Sequence, residues 1–147
     1  MGEGKPILQR LAAELGVAEY VIFTGFVNDA DLRALYCGAR VYVCPSLYEG
    51  FGFTVLEAMA CGTPVVCSSA TSLPEVAGQA ALYFDPYKTH EMATQLFRAY
   101  SDDSVRASLI ADGRANLLRF SWAETTRQTL AVYHQALQLP LPKAAYA

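Results

Sequence analysis

Two glutamates frame a short stretch whose residue types suit the binding of a polyhydroxylated ligand. Glu49 and Glu57 stand eight positions apart in YEGFGFTVLEAMACGTPVV, residues 48–66. Gly50 and Gly52 follow the first glutamate, so the backbone there can approach a ligand closely. The residues after them are predicted to be helical, and unpaired N–H groups at a helix start form a site for an anion such as phosphate.

The two carboxylates suit a ligand that carries hydroxyl groups on both sides of a phosphate. Glu49 would repel a phosphate placed beside it, whereas the hydroxyls of a neutral sugar can donate strong, charge-assisted hydrogen bonds to it. A ribose can donate to Glu57 in the same way. This chemistry suggests a nucleotide sugar. Two simpler explanations stay open: Glu57 completes a capping box with Thr54, and Glu49 is a solvated loop carboxylate.

Short apolar strands alternate with helices along the chain. The predicted strands are YVIFTG, VYVCPS, PVVCSS and AALYF. The predicted helices are Pro6–Leu15, one capped by Asn28 or Asp29, one near Thr54–Cys61, two that begin at the capping boxes Ser72/Glu75 and Ser121/Glu124, and others after Pro86 with a break near Gly113. This alternation is typical of an open parallel α/β sheet, whose ligands bind at the carboxyl ends of the strands. The loops TGFVND, PSLYEGFG and SSATS are therefore expected to gather at one site.

Composition limits the class of protein. The 147 residues are enough for one domain with a sizeable core, and 53% of them are hydrophobic. A net charge of −3 argues against nucleic-acid binding. No run of eighteen apolar residues predicts a membrane span, and the first ten residues lack a signal-peptide core. A cytoplasmic location is expected.

The other residues with metal or redox chemistry have structural explanations. The cysteines form no CxxC pair and are predicted to be buried thiols in a reducing compartment: Cys37, Cys44, Cys61 and Cys67. Asp29 and Asp31 spell D-x-D, but at a helix start aspartates cap and complement the dipole. His90 and His134 are predicted to be surface residues. We expect no metal and no cofactor.

The central segments resemble a known family. VYVCPSLYEGFGFTVLEAMACGTPVVCSS followed by LPEVAGQAALYFDP closely resembles the retaining group-one glycosyltransferases, which have the two-Rossmann-domain architecture GT-B. Glu49 and Glu57 fit that family's E-x7-E motif, and VIFTGFVNDADLRALY and FSWAETTRQTLAVY fit the segments before and after it. The resemblance implies a Rossmann-like open parallel sheet of about four strands with flanking helices, as an incomplete carboxyl-terminal domain over residues 1–138 with a tail at 139–147.

The resemblance also implies roles for matching positions. Glu49, the candidate catalytic residue, would contact the donor-sugar hydroxyls, and Glu57 would bind the ribose hydroxyls. The other implied donor-binding residues are Gly50, the backbone amides of Phe51, Gly52 and Phe53, Thr54 near the ribose, and Gly25 and Val27 near the base. The donor would be linked to UDP, GDP or ADP.

Parts of the family pattern have no counterpart in the sequence. The resemblance begins at GEGKPILQRLA, so we expect an acceptor domain or partner chain to be missing, with the strands whose arginine and lysine neutralise the leaving diphosphate. Lys5 and Arg10 do not match those positions. In a strand order of 3-2-1-4-5-6 the missing strands lie between YVIFTG and VYVCPS. An uncovered strand edge there favours self-association.

Several functions are consistent with this pattern. The first is the donor-binding half of a retaining glycosyltransferase, inactive by itself, whose parent works in the cytoplasm or at the cytoplasmic membrane face. The alternative is a non-catalytic nucleotide-sugar-binding module or split subunit that needs a separate acceptor-domain chain. A sugar-nucleotide epimerase is disfavoured by the EGFG loop and the PEVAG-like segment, and a decayed remnant is the fourth possibility.

Overall fold

The computed structural model describes residues 4–137 and has the alternating strands and helices that the sequence predicts. The helices are α1 (Lys5–Glu14), α2 (Asp29–Gly38), α3 (Phe53–Ala60), α4 (Leu73–Ala77), α5 (Thr89–Ser101), α6 (Asp103–Leu117) and α7 (Trp122–Ala136), with a 3-10 turn at Ala18–Tyr20. The strands are β1 (Tyr42–Cys44), β2 (Val65–Ser68) and β3 (Ala81–Phe84). Residue 138 and the predicted tail at 139–147 lie outside the described residues. The chain divides into two compact units between Leu35 and Tyr36.

The second unit is built on an open parallel sheet in the order β1-β2-β3. All four residues of the central strand β2 are buried, which explains why Val65, Val66 and Cys67 are consecutive apolar residues without alternation. The core on this sheet joins β2 and β3 to the helices α5 and α6 through the buried side chains of Val66, Phe84, Ala99 and Leu109. The predicted α/β class is confirmed, and the second, third and fourth predicted strands are β1, β2 and β3.

The first unit contains no strand in its described residues, so the predicted strand YVIFTG is wrong. Val21 has an extended backbone, with φ −108° and ψ 115°, but no described strand pairs with it. Ile22 is 86% exposed. An apolar stretch becomes a strand only when a neighbouring strand takes up its N–H and C=O groups. The sheet accordingly has three strands in the described chain instead of about four.

Helix α1 and the start of α2 lie where the sequence predicts. The predicted helix over Pro6–Leu15 is α1, and Gly16 follows it with a φ of +68°, as is common after a helix. Asn28 caps α2, because its side-chain oxygen accepts the N–H of Asp31 at 3.0 Å. The Asn28 amide in turn donates to the Asp31 carboxylate at 2.9 Å. The D-x-D aspartates therefore lie at a helix start.

The predicted break near Gly113 is wrong, since α6 continues through it to Leu117. Gly113 is buried where α6 packs against α3, and a Cβ atom added there would lie 3.2 Å from Met59 Cγ. Glycine weakens a helix, but here it lets the two helices approach each other closely. The glycine is thus a packing residue.

This close approach gives a stability prediction. We expect Gly113→Val to lower the free energy of unfolding by about 1–3 kcal/mol, because the new side chain overpacks the contact with Met59. Ala111→Val, on the exposed face of the same helix, is the control and should cost about 0.5 kcal/mol. Urea denaturation measures both. If Gly113→Val lowers the free energy of unfolding no more than Ala111→Val does, the close contact with Met59 does not contribute to stability.

The cap predicted before α7 is confirmed in part. The Ser121 hydroxyl accepts the N–H of Glu124 at 3.3 Å, as in a capping box. The Glu124 carboxylate, however, accepts hydrogen bonds from Arg127 and Gln128. These bonds, from Arg127 first, lower the pKa of Glu124 to about 2. No helix of residues 4–137 is long and apolar enough to cross a bilayer.

Candidate functional site

The loops that follow β1 and β2 meet at the carboxyl edge of the sheet. Cys44 and Cys67 lie side by side near the ends of these strands. The Ser68 hydroxyl donates to the Ser46 carbonyl oxygen at 2.7 Å, which joins the beginnings of the two loops. The structure thus brings together two of the three predicted loops, PSLYEGFG and SSATS. The third loop, with Gly25 and Val27, belongs to the first unit, and its role near the base stays a prediction.

Glu49 is held on three sides by hydroxyl groups. The Ser46 hydroxyl donates to Glu49 Oε1 at 2.8 Å. The Glu49 N–H donates to Thr71 Oγ1 at 3.0 Å, and the Ser72 hydroxyl donates to the Glu49 carbonyl oxygen at 3.0 Å. The residue is half-buried. The alternative of a solvated loop carboxylate stays open for the other carboxylate oxygen, to which no described residue donates.

Ser72 does not form the capping box that the sequence predicts with Glu75. It precedes α4, yet its side chain makes no capping hydrogen bond. Its hydroxyl instead donates to the carbonyl oxygens of Glu49 and Phe51, at 3.0 and 2.8 Å. The carbonyl groups of the neighbouring loop compete for this hydroxyl, so it ties the two loops together.

Gly52 sets the start of α3 by a backbone conformation that favours glycine. Its φ is +109°, and a Cβ atom added there would lie 2.8 Å from Cδ2 of the fully buried Leu73. Gly52 is the N-cap, so α3 begins at Phe53 and no side chain caps it. Thr54 lies inside the helix, and the capping box predicted for Thr54 and Glu57 is wrong.

The first turn of α3 therefore presents unpaired N–H groups. Within the described chain, the N–H groups of Phe53 and Thr54 have no hydrogen-bond partner. Such groups, with the helix dipole behind them, attract an anion. This is the arrangement that a diphosphate would need.

Glu57 projects from α3 as an exposed carboxylate supported by one tyrosine. The hydroxyl of the buried Tyr36 donates to Glu57 Oε2 at 3.2 Å. No other described side chain or N–H group outside the helix donates to this carboxylate, so Oε1 is available to a ligand. Burial, and then the negative charge of Glu57 and the hydrogen bond to it, raise the pKa of Tyr36 to about 12.

The raised pKa of Tyr36 predicts how stability depends on pH. Below pH 10 the tyrosine is protonated in both states, and the stabilising effect of its hydroxyl is complete. Above pH 10 the unfolded chain loses this proton first, so the free energy of unfolding falls until about pH 12. Between pH 10 and 12, we expect the free energy of unfolding of Tyr36→Phe to fall less steeply with pH than that of the parent, by up to about 1.4 kcal/mol per pH unit. Urea denaturation at several pH values measures it, and equal slopes would contradict the prediction.

An aromatic groove adjoins Glu57. Phe53 stacks on Trp122 with ring centroids 6.0 Å apart, and Phe51 meets Phe120 edge-on at 5.9 Å. The groove has a volume of about 640 Å³ and is also lined by Leu56, Ala60, Leu117, Ser121 and Thr125. Phe51 is 36% exposed and Phe53 is 52% exposed, so neither side chain is a core residue.

Four residues of the site were missed by sequence reasoning. Ser46, Thr71 and Ser72 hold the Glu49 loop, and Tyr36 supports Glu57. The run of hydroxyl residues in SSATS at a strand end was the available signal for Thr71 and Ser72. No comparable signal marked Tyr36, which lies 21 positions before Glu57.

The cysteines and histidines agree with prediction only in part. Cys44 and Cys67 are buried, and burial raises the pKa of Cys67 to about 12. Cys37 is exposed and Cys61 half-buried, so burial was wrongly predicted for them. His90 is exposed as predicted, whereas His134 is half-buried. In the described chain, no group of three or more metal-binding side chains is placed to hold an ion.

Comparison with known proteins adds a family match. The family model described as "Glycosyl transferases group 1" matches residues 1–116. The O-antigen chain mannosyltransferase B of Escherichia coli is 46% identical over 121 residues, which are 82% of this chain and 32% of that protein. This chain therefore spans about a third of the length of that relative.

Solved structures show the same fold. Sucrose-phosphate synthase from Thermosynechococcus elongatus superposes with a TM-score of 0.83 at 29% identity, over 93% of this chain and 35% of that one. The carboxyl-terminal domain of a glycosyl transferase group 1 family protein (LpcC) from Francisella tularensis superposes with a TM-score of 0.69 at 26% identity. That match covers 78% of this chain and 60% of the other.

Proposed function

Because this chain belongs to the glycosyl transferases group 1 family, we propose that it is the donor-binding part of a retaining GT-B glycosyltransferase. Its donor is a nucleotide sugar linked to UDP, GDP or ADP. The observation that carries the proposal is the placement of two carboxylates around the unpaired N–H groups at the start of α3. Glu57 lies on that helix, and Glu49 lies in the loop that leads into it.

The diphosphate fits the helix start. The N–H groups of Phe53 and Thr54 and the positive end of the helix dipole supply the attraction. Gly50, Phe51 and Gly52 form the loop before them, and a ligand can approach Gly50 closely because no atom lies within 4 Å of an added Cβ there. The ribose hydroxyls then donate to Glu57, one turn further along the helix.

Glu49 suits the transferred sugar. Ser46 occupies Oε1 of its carboxylate, and no described residue donates to the other oxygen. A sugar hydroxyl can donate to that oxygen with the strength of a charge-assisted bond. In this proposal Glu49 is the catalytic candidate, since it touches the sugar whose bond to the diphosphate breaks. The E-x7-E assignment supports transfer with retention.

The mannosyltransferase relative suggests the sugar. Its name states that it transfers mannose, and its identity of 46% to this chain makes mannose the first candidate for the transferred group. We propose that donor binding needs no metal, so that it is the same in EDTA as in Mg²⁺.

The alternative proposal is a non-catalytic module or split subunit that binds the donor and works with a separate acceptor-domain chain. β1 pairs on one side only among the described strands, and its free edge suits either that partner or a second copy. Transfer that appears only when an acceptor-domain chain is added would support the alternative.

The donor site itself is tested by calorimetric unfolding with UDP, GDP or ADP at millimolar concentration. A nucleotide present at a hundred times its dissociation constant adds about 2.7 kcal/mol to the free energy of unfolding. We expect one of the three to raise the melting temperature, equally in EDTA and in Mg²⁺. If none of UDP, GDP and ADP changes the melting temperature, the proposal is contradicted.

A further inference from the structure

We propose that Ser46, Thr71 and Ser72 are positioning residues that hold Glu49 for the donor sugar. The inference rests on the proposed function and deepens it. It assigns the sugar-dependent part of donor binding to a set of hydroxyl groups, which we call the hydroxyl clamp. The clamp fixes both the carboxylate and the backbone of Glu49.

The carboxylate is oriented by a chain of hydrogen bonds from the buried end of β1. A serine hydroxyl has one proton, and that of Ser46 points to Glu49 Oε1 at 2.8 Å. The contact of 3.6 Å between Ser46 Oγ and Cys44 Sγ extends this chain to the buried cysteine. Hydrogen bonds in such a chain polarise and strengthen each other. One carboxylate oxygen is committed and the other is left for the ligand.

The backbone of Glu49 is held by the loop after β2. Thr71 accepts from its N–H at 3.0 Å, and Ser72 donates to its carbonyl oxygen at 3.0 Å. Ser72 also donates to the Phe51 carbonyl oxygen at 2.8 Å. Residues on both sides of Gly50 are thus fixed to the same loop, which limits the rotation that the glycine would otherwise permit.

The hydrogen bond between Thr71 and the Glu49 N–H is not needed to satisfy a buried polar group. Thr71 is exposed, and its hydrogen bond with Glu49 is exposed too, so water would satisfy the Glu49 N–H but would not fix its position. The Thr71 φ of +52° is the single positive φ of a non-glycine residue in the described chain. A β-branched residue is unfavourable there. Strained residues of this kind are concentrated at functional sites, and here the threonine presents its hydroxyl to Glu49.

The test compares Thr71→Val, which removes the hydroxyl and keeps the shape, with Thr71→Ser, which keeps the hydroxyl. Ser46→Ala is the second variant. Isothermal titration gives the affinity for a nucleoside diphosphate and for its sugar conjugate: UDP and UDP-glucose, GDP and GDP-mannose, or ADP and ADP-glucose. The pair used is the one whose nucleoside diphosphate raises the melting temperature of the parent chain. Melting temperatures are measured in parallel.

We expect Thr71→Val and Ser46→Ala to bind the sugar conjugate about 5- to 20-fold more weakly, the effect of one hydrogen bond to a charged or ligand-contacting group. Affinity for the nucleoside diphosphate should change less than twofold, and Thr71→Ser should resemble the parent for both ligands. In a Glu49→Ala background, Thr71→Val should have no further effect, because the residue it positions is gone.

The inference is overturned if Thr71→Val weakens both ligands equally while the melting temperature falls, which is the result of a general structural role. It is also overturned if the parent prefers the sugar conjugate and every variant keeps that preference, although the proposed function then stands. A parent that binds none of the six ligands contradicts the proposed function itself.

Discussion

Replacing Glu57 by alanine is expected to weaken the binding of a nucleoside diphosphate by about 10- to 100-fold. Hydrogen bonds to a charged group contribute about 1.5–3 kcal/mol, and a factor of ten in affinity corresponds to 1.4 kcal/mol. Tyr36 donates to one carboxylate oxygen of Glu57, and the other oxygen, which accepts from no described side chain, is the one proposed to bind the ribose hydroxyls. Isothermal titration of the parent and the variant with the nucleotide that binds measures the loss.

Two controls separate this role from a structural one. Glu57 is exposed, so the loss of its side chain should by itself change the free energy of unfolding by no more than about 0.5 kcal/mol. Any larger loss in Glu57→Ala is assigned to the missing hydrogen bond from Tyr36. Tyr36→Phe removes that bond and keeps the carboxylate, and it should bind nucleotide within about threefold of the parent. If Glu57→Ala binds as tightly as the parent, the carboxylate does not contact the ribose.

Replacing Gly52 by valine is expected to lower the free energy of unfolding by about 2–5 kcal/mol. A β-branched residue at a φ of +109° is strained by about 1–2 kcal/mol. The added Cβ would lie 2.8 Å from Leu73 Cδ2, and overpacking a core contact costs about 1–3 kcal/mol more. Urea denaturation gives the free energy, and titration of the folded fraction gives nucleotide affinity, which should also fall because the phosphate loop is distorted.

Gly50 provides the matched control for this variant in the same loop. No atom lies within 4 Å of a Cβ added at Gly50, and its φ is outside the positive region. Gly50→Ala should therefore change the free energy of unfolding by less than about 1 kcal/mol. If Gly52→Val and Gly50→Ala lower the free energy of unfolding equally, the φ of Gly52 and its contact with Leu73 do not contribute the expected strain and overpacking.

The strands of the second unit could be predicted because local sequence and tertiary environment agree. VVCS begins with three apolar residues and becomes the central strand, all four residues of which are buried. YVIFTG is as apolar, yet no described strand pairs with it. A strand depends on a neighbouring strand that is distant in the sequence, and no local pattern reports whether that neighbour is present.

The site shows the same division between local and long-range information. Gly52 has a φ of +109°, which glycine adopts without strain, while its close approach to a ligand stays a prediction. The capping boxes assigned to Thr54/Glu57 and Ser72/Glu75 were wrong, because hydroxyl and carboxylate groups bond to whichever partner the fold brings near. The Ser72 hydroxyl donates to the carbonyl oxygen of Glu49, which lies 23 positions earlier in the chain. Only the register of β1 against β2 determines that pairing.

The helices illustrate a third limit. Gly113 looked like a helix break because glycine has a low helix propensity. In the structure it allows α6 to approach Met59 of α3, and this tertiary packing outweighs the local cost. Propensity alone carries no information about which helix lies opposite.

The most direct test of the account is an experimental structure of this chain with the nucleoside diphosphate that raises its melting temperature. The account predicts the diphosphate at the N–H groups of Phe53 and Thr54, with the ribose hydroxyls within 3.2 Å or so of the Glu57 carboxylate, as in ordinary hydrogen bonds. The sugar position should then face the free oxygen of Glu49. A nucleotide bound away from the start of α3, with Glu49 and Glu57 both facing solvent, would contradict it.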